Sequence, residues 1–180
     1  MKDRMLAGLE YRADDHALAE DSRRAAGLVA RYNAELDRER RRDLLAELLG
    51  SVGGGTTIRS DFRCDYGYQI TVGAGTFVNW GAVFLDVGRI TIGDAVQVGP
   101  NVQLLTATHP LDAARRRAGW EGSEPITVGD NAWLGGGVIV LPGVTIGADT
   151  VVGAGAVVTR DLPAGVLAVG NPARVVRQLG

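Results

Sequence analysis

The chain has 180 residues with 19 basic and 21 acidic side chains, a formal net charge of -2 and a pI near 5.7. That balance gives no general attraction to nucleic acid or an anionic membrane surface; no apolar run approaches a transmembrane span, and the opening MKDRMLAGLEYRADD holds no signal-peptide core. A lone cysteine, Cys64, excludes an internal disulfide, and the expectation is a soluble cytoplasmic protein of one domain, or one domain with a small appendage.

Glycine and charge divide the chain near residue 50. Only Gly8, Gly27 and Gly50 of the 26 glycines lie in the first 50 residues, which carry 21 of the 40 charged side chains. Residues 1–55 are predicted as an N-terminal helical segment. Asp15 is placed to cap a helix running towards Arg31, and Leu36, Leu44, Leu45, Leu48 and Leu49 give a second amphipathic helix an apolar face that ends at Gly50. The run RERRRD from Arg38 to Asp43 reads as a solvated helix face with mixed ion pairs, because acidic residues interrupt it. Gly53, Gly54 and Gly55 read as a flexible joint, and the strand-like pattern is predicted from Thr57.

From residue 56 to about 170 the chain is predicted to be a solenoid. Val128, Leu134, Val140, Ile146, Val152 and Val158 stand six apart, most followed by a small residue. A helix repeats every 3.6 residues and a strand every 2, so a strict six fits neither alone; it fits a short strand and a corner, repeated. Three such units close a triangular coil of 18 residues, and coils stack as parallel strands about 4.8 Å apart. A second inward position, four residues on, is filled by Ala132, Val138, Val144, Thr150 and Ala156. The register extends upstream through Val72, Val78 and Phe84 and, after a slip of two, Ile92, Val98 and Leu104. The expected class is therefore mainly β, a parallel β-helix of hexapeptide repeats with a helical start.

Residues 105–125 break the repeat with polar and charged side chains, and a loop that interrupts a regular scaffold is a favoured place for function. The loop holds His109; the only other histidine is His16. Two histidines cannot build the three-histidine zinc site of the carbonic anhydrases made on such solenoids, so no metal is expected. Arg115, Arg116 and Arg117 read as solvated loop. At the end, residues 171–180 form a tail in which Ala173 to Leu179 are predicted as a short C-terminal helix, placing Arg174 and Arg177 on one face.

The helical start ending in LLAELLG, then FRCDYGYQITVG, FVNWG, GPNVQLLTATHP, WLGGG, LPGVTIG, GAGAVVTRDLP and VGNPARVV, in that order, resemble the maltose, galactoside and nodulation-factor O-acetyltransferases over nearly the whole chain. The resemblance implies a left-handed β-helix, against the usual hand of parallel crossovers. It also implies acetyl-CoA as donor, a sugar hydroxyl as acceptor and a homotrimer with sites between neighbouring solenoids. His109, in THP, falls at the family's catalytic position, where an imidazole takes the hydroxyl proton and no acyl-enzyme forms. Asn79 matches an asparagine that contacts the acceptor. Asp86 matches the first of two acidic residues in the galactoside enzymes, the second being Val87 here; Asp65 and Glu121 fall at other acceptor-side positions.

For the cofactor, Trp133 matches a tryptophan packed on the pantetheine arm, and Gly136 a backbone amide facing the thioester oxygen. Ala154 and Thr159 match contacts along the groove, while Arg160, Arg174 and Arg177 supply cations near the nucleotide phosphates. Each residue also has a plain structural reading: a corner asparagine, a solvated carboxylate, a wall aromatic, a charged terminus. Two other functions stand beside sugar O-acetylation. One is an O-acetyltransferase for hydroxylated antibiotics or other xenobiotics, and the other a non-catalytic solenoid that serves as a structural or binding module.

Overall fold

A computed structural model describes all 180 residues. Residues 51 to 178 wind into a triangular prism whose three walls are parallel sheets. The first wall holds five strands: Ser51–Val52, Ile70–Val72, Ile90–Ile92, Ile126–Val128 and Thr145–Ile146. The second begins at Thr57–Ile58 and rises through Phe77–Val78, Gln97–Val98, Trp133–Leu134, Val151–Val152 and Val166–Val169. The third runs from Arg63–Cys64 through Val83–Leu85, Gln103–Leu105 and Ile139–Val140 to Val157–Val158.

The period of six becomes three vertical ladders. Val72, Ile92, Val128 and Ile146 stack in the first wall; Val78, Val98, Leu134 and Val152 in the second; Phe84, Leu104, Val140 and Val158 in the third. All twelve are buried, and Ala132, Val138, Val144, Thr150 and Ala156 fill the second inward position. Thr150 and Thr76 are tolerated there because each hydroxyl donates to a carbonyl, Pro163 at 2.6 Å and Gly93 at 2.8 Å respectively. Corners turn through a left-handed residue at the same height in successive coils: Gly55, Gly75, Ala95, Asn131 and Asp149 at the first, and Asp61, Gly81, Asn101, Gly137 and Gly155 at the second. Glycine, asparagine and aspartate are the residues that adopt this conformation most readily.

The solenoid starts earlier than the sequence pattern suggested. Val52, Ile58 and Cys64 pair in register with Val72, Val78 and Phe84, so they form a further coil. Gly53 to Gly55 are its first corner rather than a loose joint: the Gly53 amide donates to Val72 and the Gly54 carbonyl accepts from Gly75. A second difference explains the slip of two. Cys64 to Val72 and Phe84 to Ile92 each take eight residues, and Leu104 to Val128 takes 24, whereas the other two corners keep to six throughout. Every insertion falls at the corner between the third wall and the first, one above another.

Helices close the lower end. α1 (Lys2–Leu6) leads to α2 (His16–Ala34), capped by the Asp15 carboxylate on the amides of Ala17 and Leu18, and to α3 (Arg38–Leu48), capped by Asp37. Leu28, Val29, Tyr32, Leu44, Leu45 and Leu48 join Ile58 and Phe62 in one core, sealing the open end of the prism. Asn33 and Phe62 exchange hydrogen bonds of 3.0 and 3.2 Å, and the Arg41 guanidinium donates to the carbonyls of Tyr32, Glu35 and Ile58. The other charges of the RERRRD run face solvent, as read from sequence, but the expected ion pairs among them do not form.

The C-terminal helix is not formed. Arg174–Gln178 is a strand, antiparallel to Val166–Val169 at the top of the second wall. An uncovered sheet edge offers unpaired backbone groups along its length, and VVRQ can meet them in extended form where a short isolated helix could not sustain itself. Residues three apart in a regular strand point to opposite faces. Here a bulge between Leu167 and Ala168 pairs Arg174 with Val169 and Arg177 with Leu167, two outward residues, so the arginines share a face after all.

Candidate active site

The inserted residues at the third corner build the site from below upward. The first coil contributes Asp65 and Tyr66, the second Asp86 and Val87, and the third a long excursion carrying His109 and Glu121. This excursion is not free loop. Ala107–Thr108 pairs with Trp120–Ser123, which pairs with Tyr11–Arg12 near the N-terminus, in a three-stranded antiparallel sheet. Between its two long arms lies α4 (Ala113–Arg117), capped by Asp112. Arg115, Arg116 and Arg117 are therefore helical rather than looped, though exposed; Arg116 donates to the carbonyls of Pro110 and Leu111, and Arg115 pairs with Glu10. His109 stands exposed at the end of Ala107–Thr108 and makes no hydrogen bond within the chain.

Beneath the same small sheet, carboxylates and phenols from Tyr11, Asp65, Tyr66 and Glu121 crowd together. The Tyr11 hydroxyl donates to Glu121 Oε2 at 2.8 Å, and Tyr66 and Tyr68 stack with ring centroids 5.5 Å apart. Burial, then the charges of Asp65 and Glu121, push the Tyr66 phenol up to about 12. Burial also raises Tyr11, with the Glu121 hydrogen bond adding to it, so both phenols stay neutral donors. Asp65, half-buried, is raised to about 6 by desolvation and then by Asp86 and Glu121.

Asp86 has another role than the sequence suggested. It is fully buried, and its Oδ1 accepts from the amides of Asp65 and Tyr66 at 3.0 and 2.9 Å while Oδ2 accepts from Gln69 at 3.3 Å. Burial raises its carboxyl and these amides pull it back. It pins the corner that presents Asp65 and touches no open space, so it is withdrawn from the acceptor-binding set.

Asp65 makes a pH-dependent contribution to stability with a definite sign. The folded chain keeps its proton up to about 6 while the unfolded chain releases it near 3.8, so the folded state binds more protons between these values. Its stabilisation is complete below the lower value and is lost as pH rises through the higher. Asp65→Asn is expected to raise unfolding free energy at pH 8 by about 1–2 kcal/mol after screening, the gain shrinking as pH falls towards 4. Urea midpoints at pH 8 and pH 5 check this; an equal shift at both would overturn it.

The remaining candidates lie along a different edge, between the second and third walls. Asn79, Gly136 and Ala154 belong to this corner in the second, fourth and fifth coils, and Trp133, 55% exposed, stands on the outer face of the second wall beside it. Asn79 Oδ1 accepts from the Trp80 amide at 2.9 Å, which leaves its Nδ2 as the free donor. Neither the Gly136 nor the Ala154 amide donates within the chain. Gly99, Gly135 and Gly153 keep the edge narrow: a Cβ at Gly135 would stand 2.5 Å from the Ala154 nitrogen. Arg174 and Arg177 lie at the upper end of the same wall, whereas Thr159 and Arg160 are exposed above the third corner.

His109 and Asn79 thus sit on separate edges of one prism. The members of this cluster that sequence reasoning passed over are Tyr11, Tyr66 and Tyr68, and only the tyrosines of CDYGY hinted at them. Arg59, directly below Asn79, lies over Trp80 at 4.3 Å and Phe77 at 5.6 Å. Arg59 and Phe77 also line the largest cavity, about 700 Å³, between α3 and the second wall. That cavity is bounded by Arg38, Arg41 and Arg42 and does not include His109.

Comparison with known proteins matches this architecture. Residues 4–53 fit a family described as maltose acetyltransferase hexapeptide capping motif, and residues 125–160 fit bacterial transferase hexapeptide (six repeats). Nodulation protein L of Rhizobium meliloti is 48% identical over 97% of this chain and 96% of its own. The crystal structure of a maltose O-acetyltransferase from Clostridium difficile superposes with a TM-score of 0.98 at 46% identity, covering 99% of this chain and 97% of that one. A hexapeptide-repeat acetyltransferase from Vibrio cholerae, solved in complex with acetyl coenzyme A, gives 0.94 at 39% identity over 99% and 97%. With capping helices, parallel prism and full-length relatives in agreement, the chain belongs to the hexapeptide-repeat acetyltransferases of the maltose acetyltransferase and nodulation protein L type.

Proposed function

We propose that this chain transfers acetyl from acetyl-CoA to a hydroxyl of a sugar, with His109 as general base and no covalent enzyme intermediate. The observation that carries the reading is an imidazole without intramolecular partners, displayed on a loop that is itself braced by a sheet. The imidazole removes the hydroxyl proton as the oxygen attacks the thioester carbonyl. The carbon–sulfur bond then breaks, and the thiolate of CoA leaves and takes the proton back from the imidazolium. An alcohol needs this help at neutral pH, and an imidazole can both accept and return a proton.

The edge bearing Asn79, Gly136 and Ala154 suits the donor. The free Gly136 amide can meet the thioester oxygen as it gains charge, and Trp133 offers an exposed aromatic surface to the pantetheine arm. Arg174 and Arg177, on one outward face, suit the nucleotide phosphates; Thr159 and Arg160, at the third corner, would reach the same cofactor from the neighbouring chain. On the acceptor side, Asp65 and Glu121 offer hydrogen bonds to sugar hydroxyls. Because His109 and Asn79 occupy different edges, a complete site needs two chains, and a homotrimer of prisms supplies three such sites.

Thiol release from acetyl-CoA tests the reading with glucose, maltose, galactosides, chitin oligomers and hydroxylated antibiotics as acceptors. Turnover with a sugar is the expected result. Turnover confined to antibiotics would move the substrate class, and no thiol release with any acceptor would make the chain a non-catalytic solenoid.

A further inference from the structure

The chain's first fifteen residues lie far from His109 in sequence and next to its loop in space. Tyr11–Arg12 is the edge strand of the small sheet, its Tyr11 opposite Glu121 and its Arg12 opposite Trp120. The same central strand sets Gly122 opposite Thr108, the residue immediately before His109. Tyr11 is buried among Met5, Leu18, Tyr66 and Val87, a small core separate from that of the prism. This N-terminal segment is itself anchored. The terminal amine meets Asp15 at 3.0 Å, Lys2 meets Asp21 at 2.7 Å, and Arg4 donates to the Glu10 carbonyl at 2.8 Å. On the exposed side Glu10 pairs with Arg115 of α4.

We propose that the N-terminal segment is a positioning element for His109, with Tyr11 acting through Glu121 on the strand paired with the histidine's own and Glu10 through Arg115 on the short helix that follows it. This rests on the reading of His109 as the base. An excursion of about 20 residues from a rigid prism carries a large ordering cost, and general-base catalysis loses sharply with displacement. The prism alone holds the excursion only where it leaves and rejoins the wall. Its far strand is otherwise held by Tyr11–Arg12, and Tyr11 brings the one side chain–side chain hydrogen bond to Glu121. Neither residue of the tether belongs to the donor edge, so its loss should spare acetyl-CoA binding.

Tyr11→Phe keeps the ring in its core and removes only the hydroxyl. The expected result is a fall in kcat of about tenfold with the KM for acetyl-CoA unchanged and the melting temperature near wild type. In a double-mutant cycle with Glu121→Leu, kcat measured at saturating sugar, the loss from Tyr11→Phe should largely vanish in the Glu121→Leu background, because the contact it breaks is already gone. Wild-type kcat in Tyr11→Phe, or fully additive losses, would overturn the proposal. Should Tyr11→Phe fold poorly, Arg115→Ala on the exposed arm decides: a several-fold loss in kcat supports the tether and wild-type kcat refutes it. His109→Ala measured alongside separates the two readings. If it is inactive while Tyr11→Phe turns over normally, the base stands and the tether fails; if it turns over normally, both fail.

Discussion

His109→Ala is expected to lower kcat for acetyl transfer by about 10²–10⁴-fold, the range over which a positioned general base contributes. The side chain is exposed and bonds to nothing within the chain, so its removal leaves the fold as it was. Unfolding midpoints should therefore coincide with wild type within error, and the loss is chemical rather than structural. The KM for acetyl-CoA should change little, because Trp133, Gly136 and Ala154 lie on another edge of the prism. The check is steady-state thiol release with a productive sugar, together with thermal unfolding. A folded variant that keeps wild-type turnover removes the proposed base. Loss confined to a higher KM for the sugar would instead make His109 a binding residue.

Asp86→Ala is expected to destabilise the chain by about 3–5 kcal/mol, the cost of stripping partners from buried polar groups. Three backbone amides, those of Asp65, Tyr66 and Gln69, lose their acceptor at once in a site that water does not reach. Asp86→Asn should cost less, since one oxygen remains to accept while the new NH₂ group confronts an amide donor. Urea unfolding of the three proteins measures the order wild type, Asn, Ala. Activity should fall as well, because the pinned corner presents Asp65 and adjoins the small core around Tyr11. If Asp86→Ala unfolds at the wild-type midpoint yet loses affinity for sugar, the carboxylate contacts acceptor after all.

The two substitutions show how differently the site was legible. His109 could be nominated from sequence because the proposed chemistry is carried by residue type and by its place in a break of the repeat. Asp86 is also the right residue type at a suggestive position, but its role depends on what surrounds it. Its partners are 17 to 21 residues earlier, one coil below, and no local pattern marks which carboxylate will be enclosed by amides and which left open. The same applies to Tyr11 and Glu121, which are 110 residues apart and meet only because the excursion folds back over the N-terminal segment. For the C-terminal tail, the local sequence allowed helix or strand, and the open edge of the second wall decided for strand.

By itself the sequence determined the prism. A period of six dictates a strand and a corner at each step, every coil repeats the same local geometry, and twelve apolar residues in register leave no other way to bury them together. It also located the interruption that carries His109 and, through segment order, the family. Tertiary structure alone decided that all the inserted chain stacks at one corner, that Asp86 is a fully buried pin and Asp65 a half-buried neighbour, and that histidine and asparagine occupy different edges. Those outcomes come from burial and from partners supplied by neighbouring coils and by the N-terminal strand, and the free energy of a carboxylate depends on them far more than on its own position in the chain.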